Sequence, residues 1–523
     1  MGKFNKLPVQ SQIMTTYYFR LLLVVSIISL SCSSTRNTGS KDNGKINITF
    51  VQVNDVYEIA PLEAGKSGGL ARIATIKKEY QQTNPNTFLV MAGDFLSPSV
   101  YNSLQYEGKR IRGKQMVEAM NAARFDFAMF GNHEFDITEN ELQSRLNESG
   151  FQWVSSNSFH HQGDLVTPFT RLNAPIPETY IKTVRDADGT VARIGFIALT
   201  IPFNKAPYVS YTDPLATAEL LYNRLKDSCD AVIAITHQLI KDDIVLAQKL
   251  PGLTLIIGGH EHDSRFEKVG SVYITKAHAN ARSAFIIKVS INKRKGRSKV
   301  VPVMKMLDQS VSIDSAADMV VKKWGDIAEK NYASIGFDAK KIILSTGDPL
   351  DGRESEIRTK PTNLSRIIIS AMEKAAPDAA VAIVNSGSIR VDDILQLPVS
   401  QYDIIRALPF GGSIMEADMK GSLLIKILDA GRNNKGIGGF LHYSEKLAFN
   451  PLSNTWTFNK APIDLSAPYR VAVTDFLLTG GEANMGFLKK ENPDIIKVYP
   501  VVTSLSDPRS DIRLAIIRYL ETH

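Results

Sequence analysis

Cysteine is almost absent from this chain: 523 residues contain two, Cys32 and Cys229. Cys32 closes an N-terminal leader, so a mature chain with Cys32 modified holds only Cys229, which excludes an intramolecular disulfide. An exported chain of this length relies on its core instead. Long apolar runs are missing as well. The run Leu21 to Leu30 covers ten residues, about half of the ~20 that a membrane-spanning helix needs. Charge of one sign is not in large excess: 61 basic against 54 acidic residues, formally +7. Three of the basic residues, Lys3, Lys6 and Arg20, lie in the leader, so the remaining bias is too weak for a nucleic acid polymer as partner. No internal repeat of short fixed period is visible. What is present is 44% apolar and 22% charged residues, the balance of a soluble globular protein, on a chain long enough for two cores.

The leader, "YYFRLLLVVSIISLSC", places basic residues before an apolar run that ends in Ser31-Cys32. It reads as a signal peptide, residues 1–31. A Cys after a small residue at that point looks like a bacterial lipobox, with Cys32 as the lipidated first residue and a membrane as its partner. Ser29 stands where an aliphatic residue is usual, and plain cleavage with free secretion is the alternative. Residues 32–45, ending in "SSTRNTGSKDNGK", form a flexible polar tether. The expected location is the cell envelope.

From residue 46 to about 310, short apolar runs alternate with longer amphipathic stretches, as strands alternate with helices. Ala317, Val320, Val321, Trp324, Ile327 and Ala328 follow helical spacing, which predicts a linking helix within residues 311–335. Residues 336–523 form a second alternating segment with its own Pro/Gly punctuation. The expected architecture is two α/β domains joined by a helix.

Five apolar runs of the first segment end in the same kinds of residue. "INITFVQV" is followed by Asn54-Asp55, "TFLVMAG" by Asp94, "FDFAMFG" by Asn132-His133, "DAVIAIT" by His237, and "LTLIIGG" by His260-Glu261-His262. Asp, Asn and His carry the oxygen and nitrogen atoms that ligate divalent metals. In α/β sheets, sites form beyond the carboxyl ends of strands. Any one of these could be a structural histidine or a polar turn. Five at one sheet edge point to a metal site, and four of the chain's nine histidines stand there.

"GD" at Gly93-Asp94, "GNHEFD" at 131–136, the lone His237 and "GHEH" at 259–262 resemble the calcineurin-like metallophosphoesterase superfamily. "GNHEFD" together with the second segment is similar to the secreted bacterial 5′-nucleotidase/2′,3′-cyclic phosphodiesterase family. The resemblance covers about residues 46–510. It implies a four-layer α/β sandwich followed by a C-terminal α/β nucleotide-binding domain, and hydrolysis of a phosphate ester at two divalent cations (Mn, Zn, Fe, Co or Mg). It further implies that Asp94 bridges the metals. Asn132, His237 and His260 complete one site, and Asp55 and His262 belong to the other. His133 then faces the phosphoryl group, with Asp136 fixing its tautomer. Two departures fall in one metal site. The family expects Asp-x-His where Asp55 is followed by Val56-Tyr57, and His262 stands where the nucleotidase branch often has Gln or Asn. Either His262 restores the imidazole lost at Tyr57, or Tyr57 only packs or hydrogen-bonds and one metal is held weakly. A phenolate ligand would suit a harder metal such as ferric iron.

In the second segment, "LDGRESEIRTKPTNL" supplies Arg353 and Arg358, "VNSGSIR" supplies Asn385 and Arg390, "LPFGG" supplies Phe410, and "VTDFLLTGGEANMGF" supplies Phe476. Two phenylalanines on separate loops can clamp a nucleobase, and arginine forks suit phosphate or carboxylate. The alternative is that each Phe is a core residue beside a turn and each Arg a surface residue. The family's Asn-Gly-Gly-Gly-Ile-Arg has two serines here, and Glu482 stands where "GGDGF" has Asp, which leaves base preference open. The expected activity is hydrolysis of nucleoside 5′-phosphates. The alternatives are a 2′,3′-cyclic phosphodiesterase, a nucleotide-sugar hydrolase, and a nucleotide-binding lipoprotein with impaired catalysis. The resemblance also implies that the second domain rotates, with the linking helix as hinge.

Overall fold

The computed structural model describes residues 1–2 and 42–522; the leader and Cys32 lie outside the described residues. The first domain is built on two six-stranded sheets. In spatial order the first contains Arg297–Met306, Ser283–Asn292, Lys45–Val53, Thr87–Met91, Phe127–Ala128 and Gln152–Trp153. The second contains Thr179–Arg185, Val191–Thr200, Ala231–His237, Leu255–Gly259, Val272–Lys276 and Arg265–Val269. The central strands are parallel in both sheets, so their carboxyl ends share an edge.

The two sheets face each other across an apolar layer that includes Phe50, Phe88, Phe127, Phe196, Ile233 and Ile257. Phe127 and Phe196 meet with centroids 4.8 Å apart. Helices Leu70–Thr83 and Lys114–Ala122 bury their apolar faces against the outside of the first sheet. Helices Pro214–Leu225 and Ile240–Lys249 do so on the second. The result is the four-layer α/β sandwich. Burial on both faces explains why the ligand-bearing runs read as nearly continuous apolar stretches rather than alternating ones. Strand Leu255–Gly259 is buried throughout. The "FDFAMFG" run is regular only at Phe127–Ala128, because the chain turns toward the site directly afterwards.

Helix Ser315–Ser334 starts at Asp314, whose side chain accepts from the Ala317 N–H at 3.0 Å. Its buried stripe is Ala317, Val321, Trp324, Ala328 and Tyr332. It packs on helices Leu70–Thr83 and Lys114–Ala122 of the first domain, and Trp324 Nε1 donates to Glu118 at 3.0 Å. The apolar layer beneath it continues into the second domain through Phe337, Ile343 and Ile404. That domain carries a five-stranded sheet, Leu441–Tyr443, Val381–Asn385, Pro468–Thr474, Ile414–Lys420 and Ile495–Val498. Helices Asn363–Ala375, Gly421–Asn433 and Ile512–Leu520 cover it. No helix among the described residues is long and apolar enough to cross a membrane.

Candidate active site and metal centre

The strand ends converge. One ligand atom each of Asp94, His237 and His260 lies within 4.8 Å of the others, although their strands come from both sheets. Two buried side chains bolt the sheets together at this edge. Gln52 Nε2 donates to the Gly258 and Thr275 carbonyls at 2.9 and 2.7 Å. Asn54 Nδ2 donates to the Ala277 carbonyl at 3.0 Å and to Asp55 Oδ2 at 2.7 Å. The backbone is strained at the same place: Asp55, Asp94 and His260 have φ of 54°, 56° and 91°. Non-glycine residues in that region persist only where the surroundings over-determine them, commonly at functional sites. Gly131 has to be glycine, since a Cβ there would sit 2.1 Å from Asp94 Oδ1.

The donor set asks for cations. Asp55 Oδ1, Asn132 Oδ1 and His237 Nε2 are buried without a hydrogen-bond partner among the described residues. His237 donates its Nδ1 proton to the Ala92 carbonyl at 2.8 Å, so Nε2 is a bare electron pair in its neutral form. That nitrogen stands 3.0 Å from Asp94 Oδ2 and 3.8 Å from Asp55 Oδ1. Electron-pair donors at that distance repel unless a proton or a cation lies among them. Burial disfavours a second proton on His237, but Asp94 and Asp55 outweigh it and push its pKa up to about 9. A divalent cation would meet the same demand. Burial and the neighbouring His237 push His260 down to about 3, which keeps it a neutral donor. For Asp94, burial acts upward, yet His237 and His133 hold it below the ordinary carboxylate value.

His262 and Tyr57 flank the other side. His262 Nε2 lies 3.0 Å from the Tyr57 hydroxyl and 3.8 Å from Asp55 Oδ1. The hydroxyl is 3.4 Å from Asp94 Oδ2. Burial first, then Asp94 and Asp55, push the Tyr57 pKa well above its ordinary value of 10.0, so the ring is a neutral phenol.

"GNHEFD" forms a tight 3-10 turn, His133–Asp136, that ends on the capped helix Glu139–Glu148. His133 Nδ1 is 2.6 Å from Asp136 Oδ2, and the His133 backbone N–H donates to Asp94 Oδ1 at 2.8 Å. Asn204 Nδ2 holds the other Asp136 oxygen at 2.7 Å. Glu134, fully buried, has a role that the sequence did not reveal. Its carboxylate accepts backbone N–H groups from Gly131, Asp94, Phe95 and Leu96 at 2.6–3.0 Å, tying the "GD" loop to the "GNHEFD" loop. A second hidden support is Lys276, with its side chain wholly buried, whose Nζ reaches the Gln238 carbonyl at 2.5 Å, Asp243 at 2.9 Å and Glu261 at 2.5 Å. It clamps the segments that carry His237, His260 and His262. Neither residue stands out in sequence, because their partners are loop amides and distant side chains rather than a motif.

In the second domain, the nucleotide-binding candidates are distributed differently. Arg353 makes a two-pronged pair with Asp351 at 2.9 and 2.7 Å. Arg358 is bound to Glu354, and Arg390 lies 3.8 Å from the same carboxylate. Asn385 donates to Glu482 at 2.5 Å and accepts from Ser388 at 2.6 Å. Phe410 and Phe476 are 67% and 44% exposed, so neither is a core residue. Arg390 also lines a narrow cleft at the domain boundary with Tyr57, Asn280 and Arg406.

Known proteins share the two-domain architecture. The calcineurin-like phosphoesterase family matches residues 48–264, and the 5′-nucleotidase C-terminal domain family matches residues 342–489. The chain is 24% identical over 503 residues to the 5′-nucleotidase of Homo sapiens, covering 84% of each chain. It is 25% identical over 496 residues to Protein UshA of Salmonella pullorum, covering 83% of this chain and 86% of that one. The crystal structure of a 5′-nucleotidase precursor from Thermus thermophilus shares the fold, with a TM-score of 0.66 at 22% identity over 91% of this chain and 96% of that one.

Proposed function

Because the chain belongs to the 5′-nucleotidase family of the calcineurin-like metallophosphoesterases, we propose that it hydrolyses nucleoside 5′-phosphates to nucleoside and phosphate at a two-metal centre. The observation that carries this reading is the convergence of Asp94, His237 and His260 beside the unpartnered Asp55 Oδ1 and Asn132 Oδ1. On this reading Asp94, Asn132, His237 and His260 hold one divalent cation, and Asp55, Asp94 and His262 hold the other. Bound there, the cations supply a water of lowered pKa and neutralise charge that develops on the phosphoryl oxygens.

The remaining work falls to the chain's own side chains. Asp136 accepts the Nδ1 proton of His133 and fixes the ring, which leaves Nε2 to carry a proton to the leaving 5′ oxygen. Burial acts against that proton, but Asp94 and Asp136 prevail and raise the His133 pKa above 6.5, as an acid near neutral pH requires. Phe410 and Phe476 offer ring faces to the base, and Arg353, Arg358, Asn385 and Arg390 offer donors to the rest of the nucleotide. The test is purified protein assayed with nucleoside monophosphates, cyclic nucleotides, nucleotide sugars and a simple aryl phosphate, with Mn²⁺ and after chelation. Chelator-sensitive release of phosphate from the monophosphates is expected. Bound metal with no hydrolysis of any phosphate ester would overturn the reading in favour of a nucleotide-binding protein. Preference for a cyclic diester or a nucleotide sugar would move the substrate class.

A further inference from the structure

His237 and His262 are oriented by different parts of the molecule. His237 hands its Nδ1 proton to the Ala92 carbonyl, within its own domain. His262 Nδ1 lies 2.8 Å from Asp392 Oδ2, a residue of the second domain. Asp392 follows Arg390 in the loop after the 3-10 turn Ser386–Ser388. It is held firmly, since its Oδ1 accepts the Glu354 N–H at 2.6 Å. Its φ of 37° is in the left-handed region, which a non-glycine residue occupies only when the surroundings impose it. A neighbouring contact pins the same loop to the first domain: Arg282, which also pairs with Glu63 at 3.2 Å, donates to Asp393 Oδ2 at 2.6 Å. Nearby, Tyr402 of the helix Gln401–Ala407 hydrogen-bonds to Glu58 of the first domain.

We propose that Asp392 is a positioning residue for His262, so that one of the two metal sites is completed across the domain boundary and holds its cation tightly only when the domains are docked as they are here. The proposal rests on the two-metal reading above. An imidazole that ligates through Nε2 carries its proton on Nδ1, and a carboxylate partner there fixes tautomer and ring angle and raises ligand basicity. The cation site of His237 needs nothing from the second domain for this purpose. The His262 site does. By thermodynamic reciprocity, a cation in the His262 site stabilises the docked arrangement by the same factor by which docking tightens the cation.

The test is Mn²⁺ binding to the full-length protein, by titration against a competing chromophoric chelator, with X-ray scattering in parallel. Asp392→Ala should weaken one of two Mn²⁺ sites by about 10–100-fold and leave the other unchanged. In a His262→Ala background the same substitution should cost nothing further, a result that general loosening of the fold would not give. Mn²⁺ should make the wild type more compact in scattering and the Asp392→Ala variant less so. Two sites in the wild type with no change in Asp392→Ala, or an equal loss at both sites, overturns the proposal alone. A further loss of affinity in the His262→Ala background also overturns it. A wild type that binds a single Mn²⁺ overturns the two-metal reading and this proposal together.

Discussion

The two domains prepare for their ligands in opposite ways. At the sheet edge of the first, buried polar atoms of Asp55, Asn132 and His237 have no protein partner among the described residues, and the backbone is bent into the left-handed region at Asp55 and at the neighbouring Asp94 and His260. In the second, the candidate polar groups mostly have a charged or polar neighbour: Arg353 has Asp351, Arg358 and Arg390 share Glu354, and Asn385 has Glu482, although Nε of Arg358 and of Arg390 is buried without a partner among the described residues. The two phenylalanine rings stand open. A buried polar atom left unpaired costs about 1–3 kcal/mol, so the first arrangement makes sense for ions that reside there. A nucleotide comes and goes, and a domain that meets it satisfies its own charges in between. The first domain is a preformed cradle, and the second must exchange internal partners for substrate.

That contrast puts the largest expected effect in the cradle. His133→Ala should lower kcat by roughly 10²–10⁴-fold, the usual worth of a positioned proton donor, with Mn²⁺ stoichiometry unchanged. Loss of metal along with activity would mean that His133 belongs to the cation sites, and the assignment of Asp136 as its orienting partner would fall with it.

Histidine chemistry also separates the domains. In the second domain His442 is buried with neither ring nitrogen in a well-formed hydrogen bond among the described residues, and burial pushes its pKa down to about 4, although the nearby Ile357 backbone acts in the opposite sense. The folded state keeps this ring neutral, whereas the unfolded chain takes up a proton near 6.5. Stability is therefore present in full above pH 6.5 and is lost as the pH falls toward 4, by up to about 3 kcal/mol at 1.36 kcal/mol per pKa unit. His442→Phe should flatten that part of the melting temperature against pH curve. An unchanged slope would place the acid sensitivity elsewhere.

Much of this is legible in the sequence. The five strand ends could be read because a parallel strand buried on both faces is a plain apolar run, and whatever polar residue follows it is conspicuous. The helix Ser315–Ser334 was legible from its spacing. Its attachment was not: Trp324 bonded to Glu118 makes it part of the first domain's helical layer, a fact carried by residues 206 positions apart. Glu134 sits inside the very motif that drew attention, yet three of its four amide partners, those of Asp94, Phe95 and Leu96, lie 38 to 40 positions away in a loop that only the fold brings to it. Asp392 lies 130 residues from His262, and nothing in "IRVDD" marks one aspartate over the other. Side chains that touch a ligand are chosen by chemistry and show as residue types. Those that orient them are chosen by position and show only in three dimensions.

A smaller effect is expected from the open rings. Phe410→Ala or Phe476→Ala should weaken use of nucleoside monophosphates by about 1–3 kcal/mol in kcat/KM, the range for stacking of a base on an aromatic ring. Activity on an aryl phosphate without a base should change little, since the cradle does not depend on either ring. Equal losses on both substrates would show that the loops shape the cradle itself, and the division of labour between the domains would no longer hold.

The smallest effect is expected where the sequence departs most visibly from its family. Tyr57 occupies the position of a usual histidine ligand, but in this site it is a buried neutral phenol whose hydroxyl lies 3.0 Å from His262 Nε2. Becoming a phenolate ligand would mean losing a proton against burial and against two adjacent carboxylates. His262 gives up its proton more readily. Burial acts against a second proton on the ring, but Asp392 and then Asp55 push its pKa up to about 10, and a cation that displaces the Nε2 proton finds Nδ1 already held 2.8 Å from Asp392 Oδ2. Tyr57→Phe should therefore leave kcat/KM within a few-fold, while His262→Ala should cost far more, since even partners that only orient a ligand are worth about 10–100-fold. Tyr57→His would add an imidazole and should tighten Mn²⁺ or shift the preferred metal. The iron-loaded wild type should lack a visible phenolate-to-iron absorption band. A coloured iron-loaded protein together with an inactive Tyr57→Phe variant would make the phenolate the ligand and remove His262 from the role assigned to it.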